Sequence, residues 1–199
     1  MMILIKSRHL ALVFLTLLCS QSWAQSTKLD ARIVFFSGDT LDSQIKVWVN
    51  MFNRDLIREN SFYRKLHIVE GDQVRKVKIK EISSLIFTDT DGTSRKFVSE
   101  LLLKPLRRTR GILCEENSKG EINWYTIFST NTYDQSVVRT DYFWRARAKE
   151  ALTSGAFRNL PRRMAKLLFK DEPDWAGKLN AAKTFDDIKQ IIRDYNNGI

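Results

Sequence analysis

The residues of this sequence best suited to chemistry are clusters of lysine and arginine. One cluster is the run KPLRRTR at residues 104–110, and another extends from residue 145 to residue 170. Guanidinium and ammonium groups gathered at one surface bind phosphate, sulfate and carboxylate groups. We therefore predict an anion-binding surface made of Lys104, Arg107, Arg108, Arg110, Arg145, Arg147, Arg162 and Arg163. The second cluster also contains Lys149, Arg158, Lys166 and Lys170.

Carboxylates offer a second chemistry, because two opposed acids can hydrolyse a glycosidic bond without histidine or cysteine. Three pairs are close in sequence: Asp39 with Asp42, Asp89 with Asp91, and Glu115 with Glu116. Each pair lies in or beside a predicted turn, where acids commonly shape the backbone and stay hydrated. A carboxylate-dependent hydrolase acting on envelope glycans is therefore the alternative hypothesis, and binding without catalysis is favoured.

Histidine and cysteine are too few for the usual catalytic and metal sites. After cleavage of the signal peptide described below, the chain has one histidine, His67, and one cysteine, Cys114. We expect His67 on the outer face of a strand and Cys114 as a small buried apolar residue. One histidine and one cysteine cannot complete a zinc site of the His/Cys type within one chain. Because glycine-rich phosphate motifs and a nucleophile elbow are also missing, the sequence predicts no catalytic residue, no metal and no cofactor.

The first 24 residues are typical of a secretory signal peptide. They combine a positively charged start, the apolar core LALVFLTLL and the pattern Ser-Trp-Ala at residues 22–24. This pattern predicts cleavage after Ala24 and a periplasmic, surface-associated or secreted protein. Cys19 leaves a lipoprotein as an alternative, although Leu18 is bulkier than lipoprotein processing favours. No second apolar run follows, so we expect no transmembrane segment after cleavage.

The charge of the remaining 175 residues suggests the kind of partner. Cleavage of the signal peptide removes two cations and no acid, so the net charge falls from +10 to +8. A basic exported protein attracts lipid phosphates, acidic glycans or acidic proteins. Tyr142, Phe143 and Trp144 give the second cluster the basic and aromatic composition of nucleic-acid binders, but export argues against nucleic acid. We therefore predict an anionic envelope component or an acidic protein as the partner.

The elements that must position these residues are mostly β-strands. Apolar and polar residues alternate after Gly38-Asp39, and comparable turns recur at Gly71-Asp72 and Asp91-Gly92. Alternation between such turns predicts antiparallel hairpins. Residues 25–30 form a polar segment without a predicted strand. We then expect strands at 32–36, 40–50, 62–69, 74–82, 85–88, 95–103, 111–115, 121–130 and 137–144.

The strand predicted at 74–82 has two different faces. Lys76, Lys78 and Lys80 alternate with Val77 and Ile79, and a period of two places the lysines in one row. We interpret this row as a solvated edge on which like charges discourage aggregation, in preference to an anion-binding row.

The composition favours helices from residue 145 onward. An alanine-rich segment covers residues 146–157, and Pro161 is suited to the first turn of a helix at 162–169. The best-defined helix is the last one. Thr184 is its predicted N-cap, with Asp187 three residues later, and an apolar stripe at helical spacing runs from Phe185 to Tyr195.

These patterns predict a single α+β domain at 25–199, with a β-rich part at 25–144 and a helical part at 145–199. We expect an antiparallel sheet, built as a sandwich or open barrel of about eight strands, followed by a C-terminal group of two to four short helices. The helices should pack at one end of the sheet.

Two segments resemble small secreted proteins of unknown function from bacteroidete bacteria. One is IVFFSGDTLDSQIKV at Ile33–Val47, with its Gly-Asp-Thr-Leu turn, and the other is the tail at Phe169–Asn196, whose helix ends in Tyr-Asn. Together they cover about 43 of the 175 residues. The resemblance implies a secreted or envelope location, but it implies no activity and no functional residues.

The leading hypothesis is an exported, non-enzymatic envelope protein that acts as a binding or structural module with a basic surface for an anionic or protein partner. A purely structural component of a larger assembly would instead expose an apolar patch.

Overall fold

The computed structural model describes residues 25–50, 56–62, 64–99, 112–133, 136–145, 151–153 and 159–198. The predicted signal peptide and the cluster at 104–110 lie outside these residues. The strands are β1 (Ser26–Phe35), β2 (Thr40–Trp48), β3 (Lys65–Glu70), β4 (Gln73–Lys78), β5 (Ile82–Thr88), β6 (Ser94–Val98), β7 (Cys114–Ser118), β8 (Ile122–Thr130), β9 (Val137–Arg145) and β10 (Ala151–Thr153). The helices are α1 (Leu160–Leu168), α2 (Pro173–Ala181) and α3 (Phe185–Asn196).

The α+β prediction is confirmed in the form of an open antiparallel sheet followed by short helices. The ten strands have the order β10-β9-β8-β7-β6-β5-β1-β2-β3-β4. The predicted turns close hairpins, and Gly38, Gly71 and Gly92 have φ angles of 94°, 60° and 85°. These angles lie in the left-handed region, which only glycine enters without steric cost.

The sheet must curl over its first half. Strand β4 connects to β5 through a single 3₁₀ turn, Ile79–Glu81, although β3, β2 and β1 stand between them in the sheet. In a flat sheet β4 and β5 would be about 19 Å apart, at about 4.8 Å per strand. Three residues of 3₁₀ helix rise only about 6 Å. The curl therefore brings β4 back toward β5.

The concave side of this curl encloses the first hydrophobic core. Ile33, Ile45, Ile68 and Leu85 are fully buried there. The 3₁₀ turn Glu59–Phe62 adds a plug, because the ring of Phe62 lies 5.5 Å from that of Phe87 and 5.2 Å from that of Phe97.

The three helices cover the same face of the sheet at its other end. Trp124 and Phe143 lie opposite each other on β8 and β9 and stack at 5.5 Å. Met164, Ile188 and Ile192 pack in the same buried cluster. Seven consecutive residues of β8 are buried, as expected for a strand inside the sheet that is covered on both faces.

Four local predictions are wrong. The strand predicted at 111–115 is displaced to Cys114–Ser118. Residues 26–30 of the predicted polar segment belong to β1, because Leu29 packs in the core and the segment pairs with β2. The strand predicted at 74–82 stops at Lys78, where the 3₁₀ turn bends the chain toward β5. The alanine-rich part of the predicted helical region contains β10 at Ala151–Thr153. Its Leu152 is buried opposite Phe143, and that burial outweighs helix propensity.

The predicted start of the last helix is confirmed. The Thr184 hydroxyl accepts from the Asp187 amide at 3.1 Å, and the Asp187 carboxylate accepts from the Thr184 amide at 2.8 Å. Together they form a capping box.

Replacing Thr184 with alanine should lower the free energy of unfolding by about 1 kcal/mol, because the N3 amide of α3 loses its acceptor. Urea unfolding of Thr184→Ala and Thr184→Ser measures the effect. Serine keeps the hydroxyl and should be close to the original protein. Equal stability of all three proteins would mean that the cap contributes nothing to the fold.

Candidate anion-binding cleft

Helix α1 presents one apolar side and one cationic side. Pro161 occupies its first turn, and Met164 and Leu168 are buried against the sheet. The exposed positions carry Arg162 and Lys166, which are four residues apart and therefore lie on the same side of the helix. Because burial fixes the rotation of the helix, these cations are held toward α2.

A cleft of about 1360 Å³ lies between α1 and α2. Its cationic lining residues are Arg162, Lys166 and Lys170, and Asn159 and Asn180 add amide groups. No acidic residue is among the described residues that line it. The arrangement can hold an anion with several charged groups, because three cations follow one another along its wall.

The nearby acids Asp171, Glu172 and Asp174 follow α1 in sequence but do not line the cleft. Glu172 is engaged by Arg145. Within the described part of the chain, the cationic wall therefore has no neutralising partner at ion-pair distance.

Arg145, a predicted member of the surface, lies elsewhere and links the sheet to the helices. Its guanidinium donates to Glu121 at 3.2 Å, to the Tyr195 hydroxyl at 2.7 Å, and to Glu172 and the Leu168 carbonyl. Burial alone lowers the pKa of Arg145, but the hydrogen bonds to Glu172 and Glu121 outweigh it and raise the pKa. Through these contacts, Arg145 on β9 fastens α1 and α3 to the sheet.

The structure brings only part of the predicted surface to the cleft. Arg162 lines it, and Arg163 is exposed on α1 but is not a lining residue. Lys104, Arg107, Arg108, Arg110 and Arg147 lie outside the described residues. Lys166 and Lys170, which belong to the wider basic cluster but not to the predicted surface, complete the wall. The sequence signal that identifies them is their spacing, because Lys166 lies four residues after Arg162 and Lys170 lies four residues after Lys166.

The carboxylate pairs proposed for a hydrolase are engaged separately. Asp39 accepts from Ser37, and Asp42 pairs with Arg32. The Thr93 amide donates to Asp91 and lowers its pKa. Glu116 pairs with Lys96. This arrangement does not favour a pair of acids acting on one bond.

Asp89 and Glu115 do converge, together with Glu59, but a guanidinium stands between them. Arg95 donates to Glu115 at 2.7 Å, to Asp89 at 2.9 Å and to Glu59 at 3.3 Å. Only 12% of the Arg95 side chain is exposed. Burial alone lowers the pKa of Arg95, but its hydrogen bonds and charge attraction to the acids raise the pKa above its ordinary value. This cluster was not predicted, because its members come from four separate elements.

His67 and Cys114 occupy the predicted environments. Cys114 is buried, and it packs with Tyr125 and Ile127 on the face of the sheet opposite the helices. His67 is half-buried on β3, where its ring lies 5.8 Å from that of Trp48.

Neither a metal centre nor a membrane helix is found in the described part of the chain. No group of three His, Cys, Asp or Glu residues there could hold a metal ion. None of its helices is long and apolar enough to cross a membrane. No protein-family model, curated protein or solved structure matches the chain.

Proposed function

We propose that this protein is an exported, non-enzymatic module of the cell envelope that binds an anionic partner in the cleft between α1 and α2. The observation that carries the proposal is the alignment of Arg162, Lys166 and Lys170 along a cleft without an acidic lining residue among those described. The signal-peptide pattern and the resemblance to secreted bacteroidete proteins support the envelope location.

The spacing of the cations indicates what kind of anion fits. Arg162 and Lys166 are separated by about 6 Å of helix rise, and Lys170 lies just beyond the end of α1. A single small anion would meet only one of them. A ligand that carries several phosphate groups would meet all three, and arginine is well suited to phosphate oxygens because it can donate two parallel hydrogen bonds.

Replacing the three cleft cations with glutamine should weaken binding to phosphate-rich surfaces about 100-fold, since each cation near an anionic surface contributes about 1 kcal/mol. The measurement is co-sedimentation of the purified protein with vesicles containing phosphatidylglycerol, at low and high salt. A parallel titration with soluble inorganic polyphosphate distinguishes a lipid headgroup from a free phosphate chain.

A matched control replaces three exposed cations away from the cleft, namely Lys119, Lys183 and Arg193. This control changes the net charge by the same amount. It should bind like the original protein. If both triple variants lose binding equally, overall charge accounts for the binding, and if neither loses it, the cleft is not the site.

A further inference from the structure

A second cationic surface lies on the sheet, far from the cleft in sequence and on different elements. It consists of Lys46, Trp48, Lys65, His67, Lys76 and Lys78, which we name the lysine face. Residues directly opposite each other in an antiparallel pair point to the same side. Across β3 and β4, Lys65 is opposite Lys78 and His67 is opposite Lys76.

Strand β2 contributes Lys46 and the aromatic residue Trp48 to this face. The register between β2 and β3 continues the same side through Lys46 and Trp48. The Trp48 ring lies 5.8 Å from the His67 ring, and the Lys46 ammonium lies 5.4 Å from the centre of the Trp48 ring. On β1, Lys28 is opposite Lys46 and adds a fifth lysine.

The alternate residues of these strands fix the orientation of the face. Val47, Leu66 and Val77 point into the hydrophobic core and are buried. Since a strand alternates between its two sides, their burial directs the lysines and Trp48 outward. The packing of the core therefore also fixes the outward orientation of the lysine face.

Electrostatics on the face are dominated by positive charge. Burial lowers the pKa of His67, and the charges of Lys76, Lys46 and Lys65 lower it further. None of the acids in the described ranges forms an ion pair with these lysines. The next acid along β1, Asp30, accepts a hydrogen bond from Gln44 at 3.1 Å.

Protection of a sheet edge explains only part of this pattern. Lysines on β4 suit an edge strand, where charge prevents pairing with other chains. Lys46 and Lys65 lie on β2 and β3, which have neighbours on both sides and need no such protection. Nor does edge protection account for a half-buried tryptophan beside Lys46 and His67.

We propose that the lysine face binds an extended anionic polysaccharide. The ring of Trp48 offers a flat surface on which the C–H face of a sugar can stack. Lysines on successive strands, about 5 Å apart, then meet carboxylate or sulfate groups on successive sugars. Val69 and Val74 are opposite each other and lie on the same side of β3 and β4. Two valines beside five lysines give too small an apolar surface to favour membrane insertion.

This proposal goes beyond the proposed function, since it concerns a different surface and a different ligand. Only the expectation of export is shared, and it is the reason for preferring a glycan to a nucleic acid. The two proposals can be tested separately, because no residue belongs to both surfaces.

Binding to immobilised polygalacturonate tests the lysine face. The triple variant Lys46→Gln, Lys65→Gln and Lys76→Gln should bind at least about tenfold more weakly. Trp48→Ala should also weaken binding, but with an unchanged dependence on salt, because it removes stacking and no charge. Thermal unfolding shows whether each variant is folded, and if Trp48→Ala does not fold, the lysine triple variant decides.

The matched control replaces Lys119, Lys183 and Arg193, which are exposed and belong to neither surface, with glutamine. It changes the net charge equally and should keep its polygalacturonate binding. The proposal is overturned if the lysine triple variant binds like the original protein, or if the control variant loses as much. It is also overturned if oligouridylate or phosphatidylglycerol vesicles displace polygalacturonate from this face at lower concentration, because the ligand would then be of another class.

Discussion

Replacing Arg95 with methionine is expected to lower the free energy of unfolding by about 3–5 kcal/mol. Only 12% of the Arg95 side chain is exposed, and its guanidinium pairs with Glu59, Asp89 and Glu115. It also lies 5.3 Å from the centre of the Phe97 ring, so part of its surroundings is apolar. Without it, three carboxylates stay together in a partly buried site with no opposing charge. Urea unfolding measures the loss.

The same substitution at Arg75 is the control. Arg75 pairs with Glu70 at 2.6 Å, but both side chains are 48% exposed. Water screens such a pair, and its loss should change stability by less than about 1 kcal/mol. Equal losses at Arg95 and Arg75 would contradict the assignment of a structural role to the buried cluster.

A second substitution separates charge from packing at Arg95. Adding Glu115→Gln to Arg95→Met removes one uncompensated charge, so the double variant should be more stable than the sum of the single effects predicts. Simple additivity would show that the lost contacts of the arginine stem, rather than the unpaired acids, cause the destabilisation.

Replacing Asn196 with alanine is expected to lower the free energy of unfolding by about 2–4 kcal/mol, because two buried backbone groups lose their partners. The Asn196 amide accepts from the Ile122 N–H at 2.9 Å and donates to the Ile122 carbonyl at 2.8 Å. It also donates to the Ser118 hydroxyl at 2.7 Å. The side chain therefore acts like a strand residue that pairs with β8. Urea unfolding measures the effect, and the exposed neighbour Asn197 provides the alanine control.

The close approach of Gly120 gives an independent check on this contact. A Cβ atom at Gly120 would lie 2.6 Å from Cγ of Asn196, so Gly120→Ala should displace the amide and destabilise the protein. In the Asn196→Ala background most of that clash is gone, because only the Asn196 Cβ remains, at 3.0 Å. The second substitution should then cost clearly less, and an unchanged cost would mean that the clash involves something else.

The final Tyr-Asn of the helix, noted in the resemblance to secreted bacteroidete proteins, has a structural explanation in these contacts. Tyr195 accepts a hydrogen bond from Arg145 on β9, and Asn196 pairs with β8. Both residues fasten α3 to the sheet.

Local structure was largely predictable from the sequence, because its determinants lie within a few residues. The turn at Gly38 depends on one backbone angle, and the start of α3 depends on Thr184 and Asp187 alone. Alternation of apolar and polar residues likewise identified most strands. Leu152 was misassigned because its strand pairing with Phe143 is not visible in the composition around it.

The assembly of charged groups, in contrast, was decided by tertiary structure. From sequence alone, Arg145 and Arg162 belong to one basic cluster. In the folded chain, Arg145 on β9 bonds to α1 and α3, whereas Arg162 lines the cleft. Of the predicted lysine row, Lys76 and Lys78 lie on β4 and Lys80 lies in the 3₁₀ turn that follows. Whether they share a surface with Trp48 depends on how β2, β3 and β4 pair. Charge and periodicity are properties of a segment, whereas a binding surface requires segments that are distant in the chain to meet at fixed register and burial.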